Sequence, residues 1–366
     1  MKEYSKDKKP LVSIIVVTYN SARYVIETLE SAKVQTYDNI ELIVTDDCST
    51  DNTVTICKDW LADHHERFVQ TSLITSDKNT GPAPNCNRGM NAANGEWIKC
   101  IAGDDMLLEN CIQSNIEFTQ INQNAKVVHS NSNFYCNDFN IGSFMKKSNS
   151  SGNGINNHTS FSPSLKDEKK SNLLFNLKGD YIENGLANIF TNNKIEANEQ
   201  YQILLRWNVV SAPTVFLHKS IYNDFGHFDE SIPFIEDLPM WLRITKAGIK
   251  IYFLNSTTVN YRIHNNSITG EGNGSTIFNN YYLKLRFVYV RYIFPEISSW
   301  EKYFKNFEYY RLSLLAKLGL NKSNQFNRII YSVTYLPSLI FEKWVLTNLI
   351  NRIDSQLKIR RDTLEN

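Results

Sequence analysis

No apolar run in this 366-residue chain reaches the roughly 20 residues that a membrane-spanning helix requires. The longest candidate, Ile329 to Phe341, has 13 residues and contains Pro337, so an integral membrane protein is not expected. A surplus of one charge is missing too. The 39 basic and 38 acidic side chains leave +1, without the basic excess of a dedicated nucleic-acid binder, and no nucleic-acid partner is expected. The six cysteines all lie within the first 136 residues and form no CxxC pair. They mostly occupy apolar positions of predicted elements and read as reduced thiols in a cytoplasmic setting. The N-terminal MKEYSKDKKP is charged and leads into a short strand rather than a signal-peptide core, so export is not expected. A glycine-rich dinucleotide fingerprint is absent as well: the first strand runs into TYNSARY, which sets aside a dinucleotide oxidoreductase.

What is present is a large apolar share, 42%, enough for a sizeable core in one large domain with an addition or in two medium domains. VSIIVV (Val12 to Val17) is an unbroken buried-type strand. After it Tyr24, Val25, Leu29 and Ala32 have helical spacing, with Ser21 as the expected N-cap. Ile40 to Thr45 is a second strand, Asp51 caps a second helix, and Phe68 to Thr75 is a third strand. This βαβαβ order predicts a parallel sheet. Asn85 to Ala93 follows as a helix, then EWIKCIA as a fourth strand, a helix over about Leu107 to Ile121, and a strand in AKVVHSN. IKIYFL and TVNYRIH are later strand candidates. The chemistry-bearing residues sit where these strands end. Asp46-Asp47 and Asp104-Asp105 each close an apolar run, and ligand sites of open α/β sheets lie at such edges. Paired carboxylates suit a divalent cation bound to a diphosphate, although either doublet is also ordinary turn or helix-cap chemistry. Glu236-Asp237 opens a helical segment through Leu238, Trp241, Leu242 and Ile244 that stops at Gly248. It either compensates the helix dipole or supplies a general base.

Together VSIIVVTYNSARYVIETLESAKVQTYDNIELIVTDDCSTDNT, NRGMNAANGEWIKCIAGDD and IEDLPMWLRITKAGIKI resemble the family 2 glycosyltransferases of the GT-A fold, over about Val12 to Asn266. The resemblance implies an α/β fold with a Rossmann-like, mostly parallel sheet, and an inverting transfer of a sugar from a nucleotide donor, a UDP-sugar being favoured. It implies that Tyr19 and Asp47 flank the nucleobase, with Thr18, Asn87, Arg88 and Asp104 also on the donor. Asp105 and Asp104 would contact Mn2+ or Mg2+, and His264 would be a further ligand. Arg262 would pair a phosphate, or hold Glu236 or Asp237. Asp237, with Glu236 beside it, would take the acceptor proton. The alternatives stay open for several of these: Tyr19 as a cover for the core, Asn87 and Arg88 on a solvated helix, and His264 as a structural residue. Where the family's metal motif reads Asp-x-Asp-Asp, this chain has Ala102, Gly103, Asp104 and Asp105, so the first carboxylate is missing. His227 stands where a second glycine is usual, and Ser211 to Thr214 lies where the family places a loop under donor and acceptor.

The expected organisation is a nucleotide-sugar-binding half, 1–139; an Asn- and Ser-rich insertion, 140–169; an acceptor and catalytic half, 170–274; and a helical extension, 275–366. Residues 281–310 hold twelve aromatics. This extension either packs on the catalytic domain or touches an anionic bilayer from the cytoplasmic side. The expected acceptor is a saccharide or a lipid-linked saccharide, as in surface polysaccharide assembly. The competing reading is a catalytically degenerate sugar-nucleotide binder or assembly subunit, suggested by Ala102.

Overall fold

The computed structural model describes residues 9–136, 189–232, 234–264, 280–318 and 325–364. The expected insertion, 140–169, lies outside them. Contacts divide the chain into two units: Met1–Ser151 with Val210–Met240 and Ile249–Arg262, and Gly152–Val209 with Trp241–Gly248 and Ile263–Asn366.

In the first unit the β-branched runs form strands and the 3.6-period segments form helices. They run β1 (Val12–Thr18), α1 (Val25–Lys33), β2 (Ile40–Asp46), α2 (Thr53–His64), β3 (Gln70–Thr75), α3 (Pro82–Ala92) and β4 (Trp97–Ala102). β1 pairs in parallel with β2 and with β4, and β2 with β3. Ile14, Val16, Leu42 and Val44 pack with Val25, Leu29 and Cys57 of α1 and α2 in one core cluster. The opposite face meets α3 so closely that a Cβ on Gly89 would lie 2.4 Å from Ile15 Cγ2. Covered on both faces, such strands are continuously apolar, which is why their sequence signal is strong.

The sheet then becomes mixed. β5 (Met106–Leu107), α4 (Cys111–Ile121), β6 (Val127–Cys136), α5 (Ala197–Leu204), β7 (Phe216–His218), α6 (Ser220–Phe225), α7 (Asp237–Lys246) and β8 (Ile251–Ile263) follow in the chain. The eight strands are ordered β3-β2-β1-β4-β7-β6-β8-β5. β7 is antiparallel to β4 and β6, and β5 to β8.

Four local expectations change. Helix α1 starts four residues after Ser21, whose carbonyl, not its hydroxyl, receives the Tyr24 and Val25 N–H groups. Asp51 stands one residue before the N-cap Asn52 and accepts from the Thr53 N–H at 3.0 Å. The helix expected from Leu107 begins at Cys111, because Met106 and Leu107 pair with Asn260 and Val259 of β8. Neither Asp104 nor Asp105 is therefore a helix cap. The two late strand candidates are one strand, β8, extended through Asn255 to Thr257.

The second unit carries α5 and the helices α8 (Asn280–Val288), α9 (Ser299–Lys317) and α10 (Gln325–Leu364). Phe304 of α9 stacks on Phe341 of α10 with ring centroids 3.8 Å apart, and Arg311 Nη1 donates to Thr334 Oγ1 at 3.0 Å, so the two helices run antiparallel. Arg206 pairs with Glu301 at 2.8 Å. The helical extension expected from composition is present. Among the described residues no helix is long and apolar enough to cross a membrane.

Candidate active site

The carboxyl ends of β1, β2 and β4 lie side by side: Thr18 is in register with Asp46, and Val17 with Ala102. A Cβ on Gly103 would come within 2.8 Å of Thr18 Cγ2, so glycine there lets the β4 end lie against the β1 end. Tyr19, the first residue past β1, is 48% exposed. A large aromatic ring left open at a strand end can stack on a planar ligand. Thr18, by contrast, is buried and donates to Asp46 Oδ2 at 2.7 Å, which makes it a support for the turn.

Asp47 is buried and its carboxylate is fully engaged. Oδ1 accepts from Thr80 Oγ1 at 2.7 Å and from Arg88 Nη2 at 2.6 Å; Oδ2 accepts from the N–H groups of Thr80 at 2.8 Å and Gly81 at 2.6 Å. Four acceptor sites meet four donors. Burial opposes ionisation, but the bonds from Thr80, Arg88 and Gly81 outweigh it and hold the pKa below the usual value. Asp47 thus fixes the Thr80-Gly81 loop beside Tyr19's strand end. Arg88 is committed to the same knot, with further bonds to Thr80 Oγ1 at 2.8 Å and Asn85 Oδ1 at 3.0 Å.

Asn87, one helical position earlier, reaches another way. Its Oδ1 accepts from the Phe228 N–H at 3.0 Å, and its Nδ2 donates to Phe228 O at 3.0 Å and Glu230 Oε1 at 2.8 Å. α3 therefore holds two loops, the one bonded to Asp47 and the one leading to Glu236-Asp237. His227 contacts Asn91 Oδ1 through Nε2 at 2.6 Å.

At the end of β4, Asp105 is buried and Asp104 partly buried. Asp105 Oδ1 accepts from the Arg262 N–H at 2.8 Å. Burial, and next the charge of Asp104, push the Asp105 carboxyl well above its usual range. Crowded carboxylates of this kind are what a cation relieves. Among the described residues no group of three or more His, Cys, Asp or Glu is placed to hold a metal. The donor set here is two carboxylates, which fits an ion completing its shell with substrate phosphates and water. Arg262 serves the same turn: it is buried, donates from Nε to Asp104 O at 2.8 Å, pairs with Glu27 and lies 4.4 Å from the Tyr24 ring centre. Its guanidinium braces the Asp104-Asp105 turn. His264 follows β8 and belongs to the second unit.

Glu236 precedes α7 and Asp237 is its first residue. Burial and then the Asp237 charge push Glu236 up to about 7. Asp237 Oδ1 accepts from the Leu238 N–H at 2.7 Å. Among the described residues the non-glycine positions with left-handed φ are Asn20 (51°), Cys48 (66°) and Phe234 (65°). Each lies within two residues of Tyr19, Asp47 or Glu236. Strain of this kind costs roughly 1–3 kcal/mol and collects at functional sites.

Residues 13–178 match the model of glycosyl transferase family 2. Over 351 residues the chain is 22% identical to an uncharacterized glycosyltransferase of Haemophilus influenzae, covering 96% of this chain and 92% of that one. It is 28% identical to the Escherichia coli UDP-Glc:alpha-D-GlcNAc-diphosphoundecaprenol beta-1,3-glucosyltransferase WfaP, over 71% of this chain and 80% of that protein. Among solved structures, a Pyrobaculum calidifontis mannosyltransferase in complex with GDP-Man and Mn2+ superposes with a TM-score of 0.50 at 14% identity, covering 96% of this chain and 76% of that chain. Residues 13–178 are a glycosyl transferase family 2 domain, and the chain is a glycosyltransferase.

Two residues of this glycosyltransferase's site escaped sequence reasoning. Lys99, in the middle of β4, is fully buried and donates to Pro213 O at 2.6 Å and Val215 O at 3.3 Å. It anchors the Ser211 to Thr214 segment. A lysine inside the apolar WIKCIA was the available signal, since buried lysines are rare. Thr80, which gives Asp47 two bonds, had no signal of its own.

Proposed function

We propose that this glycosyltransferase moves a sugar, with inversion, from a UDP-sugar to a hydroxyl of a saccharide or lipid-linked saccharide, with a divalent metal, during surface polysaccharide synthesis at the cytoplasmic face of the membrane. The observation that carries the reading is the placement of an exposed Tyr19 and the Asp104-Asp105 pair at the carboxyl ends of the parallel neighbours β1 and β4. The likeness to WfaP, a UDP-Glc:alpha-D-GlcNAc-diphosphoundecaprenol glucosyltransferase, supports the choice of UDP and of a lipid-linked acceptor.

Tyr19 would stack on the base, and the Thr80-Gly81 loop, held by Asp47 and Arg88, would border it. This assigns Asp47 to loop positioning, because its acceptor sites are filled. Asp104 and Asp105 would hold Mn2+ or Mg2+, which neutralises charge on the leaving diphosphate. The acceptor oxygen attacks the anomeric carbon while the carbon–oxygen bond to the diphosphate breaks, and the hydroxyl proton passes to Asp237. One displacement inverts the configuration, with no covalent sugar intermediate. Glu236, with a pKa near 7, would keep one proton on the pair in acid and release it near neutrality.

The test combines UDP-sugar titration, with and without Mn2+, and transfer by Asp237→Asn. A UDP-sugar is expected to bind more tightly with Mn2+, and the variant to keep that binding while losing roughly 10²–10⁴ in turnover. Unchanged turnover removes Asp237 as the base. Metal-dependent binding with no transfer or hydrolysis by the wild type would favour the degenerate binder suggested by Ala102.

A further inference from the structure

The second unit leaves uncovered a surface that the transfer chemistry does not use. Among the described residues, fourteen of the eighteen exposed large apolar side chains lie beyond residue 280. On α9 they recur as Trp300, Tyr303, Phe307, Tyr310 and Leu314, in steps of three and four, so they line one face. On α10 Leu336, Ile340 and Trp344 do the same. The two helices are joined by a run of rings. Trp300 packs on Tyr303 (6.5 Å), Tyr303 on Phe304 (5.5 Å), Phe304 on Phe341 (3.8 Å) and Phe341 on Trp344 (5.9 Å). Trp300 is 71% exposed and Trp344 62%. An exposed apolar surface this continuous marks a contact site.

We infer that this aromatic surface of α9 and α10 docks the protein on an anionic lipid bilayer. The inference deepens the reading of a lipid-linked acceptor, while standing on residues outside the transfer site. Charge selects the partner. Residues 299–364 hold eleven basic and five acidic side chains, an excess of six against a whole-chain excess of one. Both acids of α9 are paired, Glu301 with Arg206 and Glu308 with Arg311. Exposed Lys317 lies three residues past Leu314, and exposed Lys343 three past Ile340, so basic groups flank the apolar face. Tryptophan and tyrosine rings settle at the headgroup level, and lysines beside them extend toward lipid phosphates. Two copies meeting through this face would bring like charges together, which opposes self-association. No described helix is apolar enough to span, so the contact is peripheral.

Full-length protein is to be sedimented with vesicles of phosphatidylglycerol and phosphatidylcholine in equal parts, and with phosphatidylcholine alone, alongside the variants Trp300→Ser/Trp344→Ser and Lys317→Glu/Lys343→Glu. The wild type is expected to pellet with the anionic vesicles and to be released by salt. Each double variant is expected to lose about tenfold in partitioning with an unaltered thermal melt and unaltered UDP-sugar binding in solution. Wild-type protein that stays in the supernatant with both vesicles overturns the inference. So does a wild-type oligomer that ignores vesicles and that the tryptophan variant converts to monomer, which would make this face an interface between copies. UDP-sugar binding, read in the same samples, reports on the transfer reading separately.

Discussion

Replacing Arg88 with methionine removes the one charged partner that a buried carboxylate has among the described residues, and the structure gives the size of the effect. The Asp47 side chain is 3% exposed and that of Arg88 25%, with 2.6 Å between them. Cutting a fully buried pair costs about 3–5 kcal/mol because a charge is left without its partner. Here Thr80 Oγ1 and the N–H groups of Thr80 and Gly81 remain, and water reaches the arginine side, so about 2 kcal/mol is expected. For a unit of this size that lowers the melting temperature by about 4–8 °C. The pH dependence tests the cause. The Asp47 pKa is lowered in the fold, so its contribution is present above the ordinary value of 3.8 and is lost as pH falls through the folded value. Arg88→Met raises that folded value and shifts the acid limb of the stability curve to higher pH. The gap between wild type and variant, read by urea unfolding at a series of pH values, should therefore narrow in acid, where both carboxyls are protonated. A gap that stays constant into acid would show that the aliphatic stem of Arg88, not its charge, is what matters.

Glu236 gives the opposite pH dependence. Its folded pKa of about 7 lies above the ordinary 4.5, so the folded state binds the extra proton between those values. That contribution is complete below 4.5 and is lost as pH rises through about 7, at most about 3 kcal/mol. Urea unfolding from pH 4.5 to 8 should show a decline in wild type that flattens in Glu236→Gln, and identical slopes would refute the assignment. Tyr19→Ala should weaken UDP about tenfold or more in calorimetry, since stacking of a base on an aromatic ring is worth about 1–3 kcal/mol. Unchanged affinity would return Tyr19 to the role of an exposed strand-end residue.

The parallel half of the sheet was legible because burial on both faces writes itself as runs such as VSIIVV and IELIVT, which few other environments tolerate. The antiparallel half was less so. β5 is two residues long, and its pairing with β8 is a contact across some 150 residues that no local pattern announces. The site showed the same division. Types and spacing found the carboxylates, but not what occupies them. Asp47 looks in the sequence like a ligand-facing acid, and only the loop at Thr80-Gly81, more than thirty residues away, shows its oxygens filled. Arg262 reads as a phosphate cation, and nothing local to it announces that its Nη2 meets Glu27 and its Nε the Asp104 carbonyl.

These engaged side chains explain how Ala102 can stand where the family places a carboxylate. A first aspartate would add a third negative charge to a turn in which Asp105 is already pushed well above its usual pKa. The turn is held from the other side. Arg262 gives its N–H to Asp105 and its Nε to the Asp104 carbonyl, Thr28 Oγ1 donates to the Asp105 carbonyl at 2.7 Å, and Glu27 balances the guanidinium. Positioning is thus supplied by neutral and cationic donors, and under the proposed function a hard cation would offset the burial and crowding that disfavour the charged form of Asp105. If a cation binds here as proposed, having fewer protein ligands would leave more of its shell to the diphosphate. Metal and nucleotide should then bind as a unit, each raising the affinity for the other by the same factor.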